Sequence, residues 1–182
     1  MSRNPSGQPS DEADKKQLEM AKEEGEAYHR SLLYMANEVA DTGGQQHCGD
    51  YIVAYALEKA EGMYVLHSEG KFEWVEPSEE NCHLEISVSD AGDKRFIPHL
   101  YIEARLTASD GEQMGPFEMP FLWHPGLFHY GRNIRVPGAG CYTLHVRIAP
   151  PHFMRHDRTN GQRYAHTVCA EFKQVPIKTG QE

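Results

Sequence analysis

His83-Leu84-Glu85-Ile86-Ser87-Val88 is the stretch on which the fold turns. Leu84, Ile86 and Val88 alternate with His83, Glu85 and Ser87, the period of two that a β-strand shows when one face is buried and the other is polar. Two further stretches repeat it. Leu100, Ile102, Ala104 and Leu106 alternate with Tyr101, Glu103 and Arg105, and Tyr142, Leu144, Val146 and Ile148 alternate with Thr143, His145 and Arg147. Other strands are predicted over 51–58, 63–66, 72–76, 132–136 and 167–175. Turn signals punctuate them: Asp90-Ala91-Gly92, Asp110-Gly111, Pro137-Gly138-Ala139-Gly140 and Asn160-Gly161. Roughly seven or eight short strands without intervening helices predict an all-β domain, an antiparallel β-sandwich.

Upstream the period is 3.6. Leu18, Ala21, Gly25, Tyr28, Leu32, Met35 and Val39 recur at steps of three and four, which places them along one stripe of a helix. Ser10 is the expected N-cap, and Gly43-Gly44 the expected terminator, of a helix spanning 10–42. Residues 1–9, polar with Pro5, Gly7 and Pro9, are expected to be a disordered tail, and 48–182 the β-domain. Gly25 costs the helix about 1 kcal/mol relative to Ala, so it marks either a weak point or a close approach by another backbone. The stripe needs a cover, which is either the protein's own β-domain or a second copy.

The chain of 182 residues suits one domain with an appendage. Its formal net charge of -9 and the lack of a Lys/Arg cluster exclude nucleic acid as a natural partner. A metal cation or a basic partner suits that balance better. No stretch approaches the roughly 18 apolar residues of a membrane span, and the first residues lack the order of a secretory leader. The chain as written is therefore expected in the cytoplasm, or in an extracytoplasmic, periplasmic space if a leader has been removed. Cys48, Cys82, Cys141 and Cys169 form no C-x-x-C pair, so free and mostly buried thiols are expected in a reducing compartment, with disulfides an alternative after export.

Ten of the eleven histidines lie beyond residue 46, in the β-domain. His83 and Glu85 are alternate residues of one strand, about 7 Å apart on one face, and can converge on an ion at metal-ligand distances of about 2.0 to 2.2 Å. The same spacing is also that of an ordinary solvated strand face. His124 and His129 flank Pro125-Gly126 in a segment rich in Phe121, Leu122, Trp123, Leu127 and Phe128, where buried neutral imidazoles bonded to backbone are the alternative. Met119 is either a core filler or a thioether ligand, and near several imidazoles it favours copper. The loop His152-Phe153-Met154-Arg155-His156-Asp157 offers two more imidazoles, of which His156 could equally be paired to Asp157.

His83-Leu84-Glu85, the strand from Pro98 to Ile102, the stretch from Met119 through His129-Tyr130-Gly131 to Asn133 and Arg155-His156-Asp157 follow one another as they do in the iron-transport family. The chain resembles that family over roughly 50–175 and not over the helix. The resemblance implies an immunoglobulin-like sandwich, a homodimer, and a metal site near the dimer interface that takes iron or copper. It also implies a ferrous-iron permease or other iron-handling protein as partner. His83 and Glu85 match the family's strand ligands, His129 the histidine before Tyr-Gly, and His156 the histidine supplied across the dimer. Phe121 stands where a ligand methionine is usual, so Met119 or His124 would substitute.

Three functions follow. The first is non-catalytic binding of iron or copper for uptake, handling or storage. The second is a non-haem iron oxygenase, because two histidines and a carboxylate also make that enzyme's facial triad. The third is an interaction module that holds no metal.

Overall fold

A computed structural model describes residues 7–179. Helix α1 (Lys15–Tyr34) leads into a π-turn (Met35–Val39) and then into strands β1 (Thr42–Cys48), β2 (Tyr51–Glu58), β3 (Met63–Ser68), β4 (Lys71–Val75), β5 (Cys82–Asp90), β6 (Ile102–Thr107), β7 (Gln113–Glu118), β8 (Phe121–Leu122), β9 (His129–Ile134), β10 (Gly140–Ile148) and β11 (Val168–Ile177). Antiparallel pairing builds a five-stranded sheet in the order β1-β2-β5-β9-β8 and a four-stranded sheet in the order β11-β10-β6-β7, with β3-β4 as a separate hairpin. The architecture is an antiparallel β-sandwich preceded by a helix, as the alternation predicts.

The apolar set of each alternating strand meets in the core. Leu84, Ile86 and Val88 of β5 share one buried cluster with Ile102, Ala104 and Leu106 of β6 and Leu144, Val146 and Ile148 of β10. Their alternates therefore face outward, where the two sheets differ. β10 exposes or half-exposes its outward residues, as a solvated face should. Every residue of β5 is buried, so something covers the outer face of the five-stranded sheet.

Part of that cover is α1. Its N-cap is Asp14 rather than Ser10, because Asp14 makes a reciprocal capping box with Gln17: the Asp14 carboxylate accepts from the Gln17 N–H at 2.8 Å, and the Gln17 amide oxygen accepts from the Asp14 N–H at 2.9 Å. Ser10 instead donates to Asp157 Oδ2 at 2.7 Å, tying the preceding segment to the distant loop. The predicted terminator also moves. Helical structure ends at the π-turn, closed by Ala40 N–H donating to the Met35 carbonyl at 2.9 Å, while Gly43 and Gly44 lie in β1 as the first strand of a hairpin with β2. Residues 1–6 of the expected disordered tail lie outside the described residues, and Gln8 is held by Asn160, its N–H donating at 2.8 Å and its carbonyl accepting at 2.8 Å.

Gly25 resolves the alternatives posed for it. A Cβ there would sit 1.7 Å from the Asp93 carbonyl oxygen and 2.7 Å from Arg95 N, so the glycine admits the turn after β5 against the helix backbone. The helix thus lies on its own β-domain. Lys94 Nζ adds an ion pair to Glu26 at 3.0 Å. The four cysteines are free, as expected, but only Cys82 is buried; Cys141, near the start of β10, and Cys169, on the edge strand β11, are exposed because they fall on outward positions.

Candidate metal centre

Register brings the outward residues of two neighbouring strands together. In the β5–β9 pair, His83 lies opposite Asn133 and Glu85 opposite Gly131, which puts His129, Gly131 and Asn133 on the face that carries His83 and Glu85. His129 Nε2 lies 3.2 Å from Glu85 Oε1, and His83 Nε2 lies 3.8 Å from it. One ligand atom from each of the three residues falls within 4.8 Å of the others. Donors held about 2.1 Å from a common ion in tetrahedral geometry stand roughly 3.4 Å apart, so these separations suit a single ion.

Burial decides what such a group can do. His83 is 0 % exposed, His129 4 % and Glu85 6 %. Asn133 fixes the His83 tautomer: its Nδ2 donates to the Glu61 carbonyl at 2.7 Å, so its Oδ1 is the atom 2.9 Å from His83 Nδ1 and accepts the imidazole proton. The lone pair of His83 then belongs to Nε2, which has no hydrogen-bond partner. Neither ring nitrogen of His129 has a well-aligned partner, despite the nearby carboxylate. Orphaned buried nitrogens cost stability and are rare, which marks this place as built for something other than packing.

Space for an ion is present. A Cβ added at Gly131 would lie 3.0 Å from His83 Nε2 and 3.2 Å from His129 Cδ2, so the missing side chain leaves open the volume between the donors. Burial holds His83 below the ordinary imidazole range, and burial together with neighbouring His83 pushes His129 down to about 4. Both rings are consequently neutral at pH 7, with lone pairs free. Burial, followed by the charges of Glu58 and Glu61, pushes Glu85 up to about 8. A carboxyl that resists ionisation in isolation would release its proton readily to a bound cation.

The other expected ligands lie elsewhere. Met119 is buried in the cluster between the sheets, on the opposite side of the five-stranded sheet from His83 and Glu85. His124 is half-buried, with its ring centroid 6.0 Å from that of His129, but its Nδ1 accepts from the Gly126 N–H at 3.0 Å. His156 is exposed and within this chain pairs with Glu12 at 2.9 Å instead of Asp157. Phe121 is a half-exposed ring 5.6 Å from Phe128. Sequence reasoning missed Asn133, Gly131, Glu58 and Glu61. None is a usual transition-metal signal alone, and only strand register assembles them.

Two clefts meet at the group. One, of about 470 Å³, opens on Glu85 beneath Arg30, Tyr34 and Met35, with Glu58 and Glu61 on its wall. The other, of about 940 Å³, reaches His129 between Tyr64, Phe72 and Trp74 of the hairpin and Phe121 and Trp123. Glu61 and His124 border both.

The sequence of residues 35–175 matches the model of the Fe2+ transport protein family. The chain belongs to that family. The match begins after α1, which lies outside it. UPF0423 proteins of Brucella abortus (strain 2308) and Brucella suis biovar 1 (strain 1330) are 32% identical over 119 residues, covering 56% of this chain and 64% of each relative. The chain thus spans somewhat less than two thirds of the curated relatives it matches. Among solved structures, a copper-bound glutamate-to-glutamine variant of FetP from uropathogenic Escherichia coli strain F11 superposes with a TM-score of 0.62 at 18% identity, covering 77% of this chain and 93% of that one. Copper-reconstituted P19 from Campylobacter jejuni gives 0.62 at 18% identity, covering 76% and 96%. These likenesses establish the shared sandwich. Among the described residues no helix is long and apolar enough to cross a membrane.

Proposed function

We propose that the protein binds one transition-metal ion, iron or copper, per subunit through His83, Glu85 and His129, and carries it as cargo rather than as a catalyst. The observation that carries this reading is the convergence of three buried donors, two of them imidazoles whose Nε2 atoms have no hydrogen-bond partner, around the space left by Gly131. Nitrogen and carboxylate donors suit both iron and Cu(II). Membership of the Fe2+ transport family supports iron as the physiological cargo, and the copper-bound FetP and P19 structures support copper as an occupant of the same fold. An iron permease or related iron-handling protein is the proposed recipient.

A homodimer belongs to the same proposal. The β3–β4 hairpin exposes Tyr64, Leu66, Phe72 and Trp74, although a two-stranded ribbon is marginally stable alone and an apolar patch of this kind normally has a cover. A second copy would cover it and could present its own exposed His156 to the centre. The donor set is also that of an oxygenase, and carriage rather than catalysis predicts that the iron-loaded protein turns over no oxygen with candidate cosubstrates.

Titrating Cu(II), and anaerobically Fe(II), into the apo protein while following its mass by sedimentation tests the reading. One ion per subunit of a dimer is expected, and His83→Ala should abolish uptake. An unchanged isotherm in that variant would remove the site, a monomer would remove the dimer, and oxygen uptake would replace carriage with catalysis.

A further inference from the structure

The two histidines are not held in the same way. His83 has Asn133 to set its tautomer and direction. His129 has no such side chain: neither of its ring nitrogens makes a hydrogen bond of good geometry, although the Leu127 backbone and Glu85 Oε1, 3.2 Å from Nε2, lie nearby. A metal-binding imidazole normally gains its aim from a second group, and in that group's absence the backbone beneath the ring must supply it.

The backbone ahead of His129 is gripped from outside the sandwich. Tyr28 of α1 donates its hydroxyl to the Phe128 carbonyl at 2.7 Å, and the same oxygen lies 2.9 Å from Ser87 Oγ, from which it must then accept. Ser87 is two residues beyond Glu85 on the same face of β5, and the Phe128 carbonyl belongs to the peptide that joins His129. One hydroxyl therefore spans the two segments that supply the donors. The ring beneath it is seated independently, 5.6 Å from Phe96, and burial raises the phenol's pKa so that its proton is retained.

We infer that Tyr28 is a positioning residue for the metal centre, its hydroxyl fixing the Phe128–His129 peptide and so aiming His129 as Asn133 aims His83. This rests on the metal-binding reading of the site. It also gives the helix a part in the centre, since α1 lies outside the family match at 35–175 yet reaches the segment that carries a ligand with no side chain hydrogen-bonded to its ring.

The test compares Tyr28→Phe with Lys94→Met in the full chain. The first removes only the hydroxyl and keeps the ring against Phe96; the second removes another anchor of the same helix, the pair with Glu26, which touches neither ligand strand. Cu(II) affinity should fall about 10-fold or more in Tyr28→Phe, the lower end of what outer-shell partners are worth, with an altered Cu(II) paramagnetic resonance spectrum. Lys94→Met should match the parent protein in both. In the apo protein, the His129 ring resonances should shift or broaden in Tyr28→Phe alone, a readout that needs no metal. Unchanged affinity and His129 resonances in Tyr28→Phe would overturn the inference, as would equal losses in Lys94→Met, which would mean that helix docking in general is what matters. A parent protein that takes up no Cu(II) while Tyr28→Phe still moves the His129 resonances would overturn the metal function and leave the hold of Tyr28 on His129 standing.

Discussion

Both sheets carry a histidine beside a carboxylate on their outer faces, and only one of the two pairs has the makings of a site. On the four-stranded sheet His145 Nδ1 lies 3.4 Å from Glu171 Oε2, each side chain more than two-fifths exposed, with Arg105 directly across from His145. On the five-stranded sheet His83, Glu85 and His129 are buried, and across from Glu85 stands Gly131. The elementary chemistry of the pairs is the same. What separates them is cover and space: the helix and the turn before β9 take water away from one pair and a glycine leaves a gap in it, while the other keeps its water and has a cation for a neighbour.

The strongest way to break that contrast is to fill the gap without touching a donor. Gly131→Ala would put a methyl group 3.0 Å from His83 Nε2. The nearest other atom, Leu122 Cδ1 at 2.8 Å, is the end of a flexible side chain and can move, so the sandwich should fold. Cu(II) affinity measured by competition with a chelator should drop at least about 100-fold, or roughly 2.7 kcal/mol. Affinity equal to that of the parent protein would mean that the ion sits elsewhere.

That glycine also illustrates what was legible in the sequence. The alternation in β5, β6 and β10 announced the sandwich, because each strand buries one face in the shared core. It also placed His83 and Glu85 on one side of their strand. β1 carries no alternation, because Thr42-Gly43-Gly44-Gln45-Gln46 is an edge strand with little to bury, and its glycines read as a helix terminator. β7 was hidden by Gly115-Pro116, which break a pattern that a strand at a sheet edge tolerates. Gly131 and Asn133 become part of the site only through the β5–β9 register, a long-range property that no local spacing encodes. Gly25 was legible as a glycine on an apolar stripe, but what approaches it was not.

A smaller effect sharpens the contrast through pH. His129, displaced down to about 4 from 6.5, binds fewer protons folded than unfolded, so its contribution to stability rises with pH between those values. Glu85, displaced up to about 8 from 4.5, does the reverse: the folded state holds the extra proton, and stability is lost as pH climbs from 4.5 to 8. The two oppose each other below pH 6.5. Above it only the carboxyl remains, and the apo protein should lose on the order of 2 kcal/mol by pH 8, at about 1.4 kcal/mol per unit. Calorimetry in the presence of a chelator should show the melting temperature falling over that window, and Glu85→Gln should flatten it. With metal bound the cation replaces the proton, so the loaded protein should show no such fall, and the gap between loaded and apo forms should widen as pH rises.

The smallest effect belongs to the exposed pair, where its smallness is the point. Exposed ion pairs are worth about 0 to 1 kcal/mol because water screens both partners and two side chains must be ordered to hold the contact. His145→Ala should therefore leave chemical stability within about 0.5 kcal/mol of the parent protein and Cu(II) stoichiometry at one ion per subunit. A lost equivalent of Cu(II) in that variant would show that an imidazole and a carboxylate suffice without burial. The distinction drawn between the two faces would then fail, and with it the reason for assigning the centre to β5 and β9.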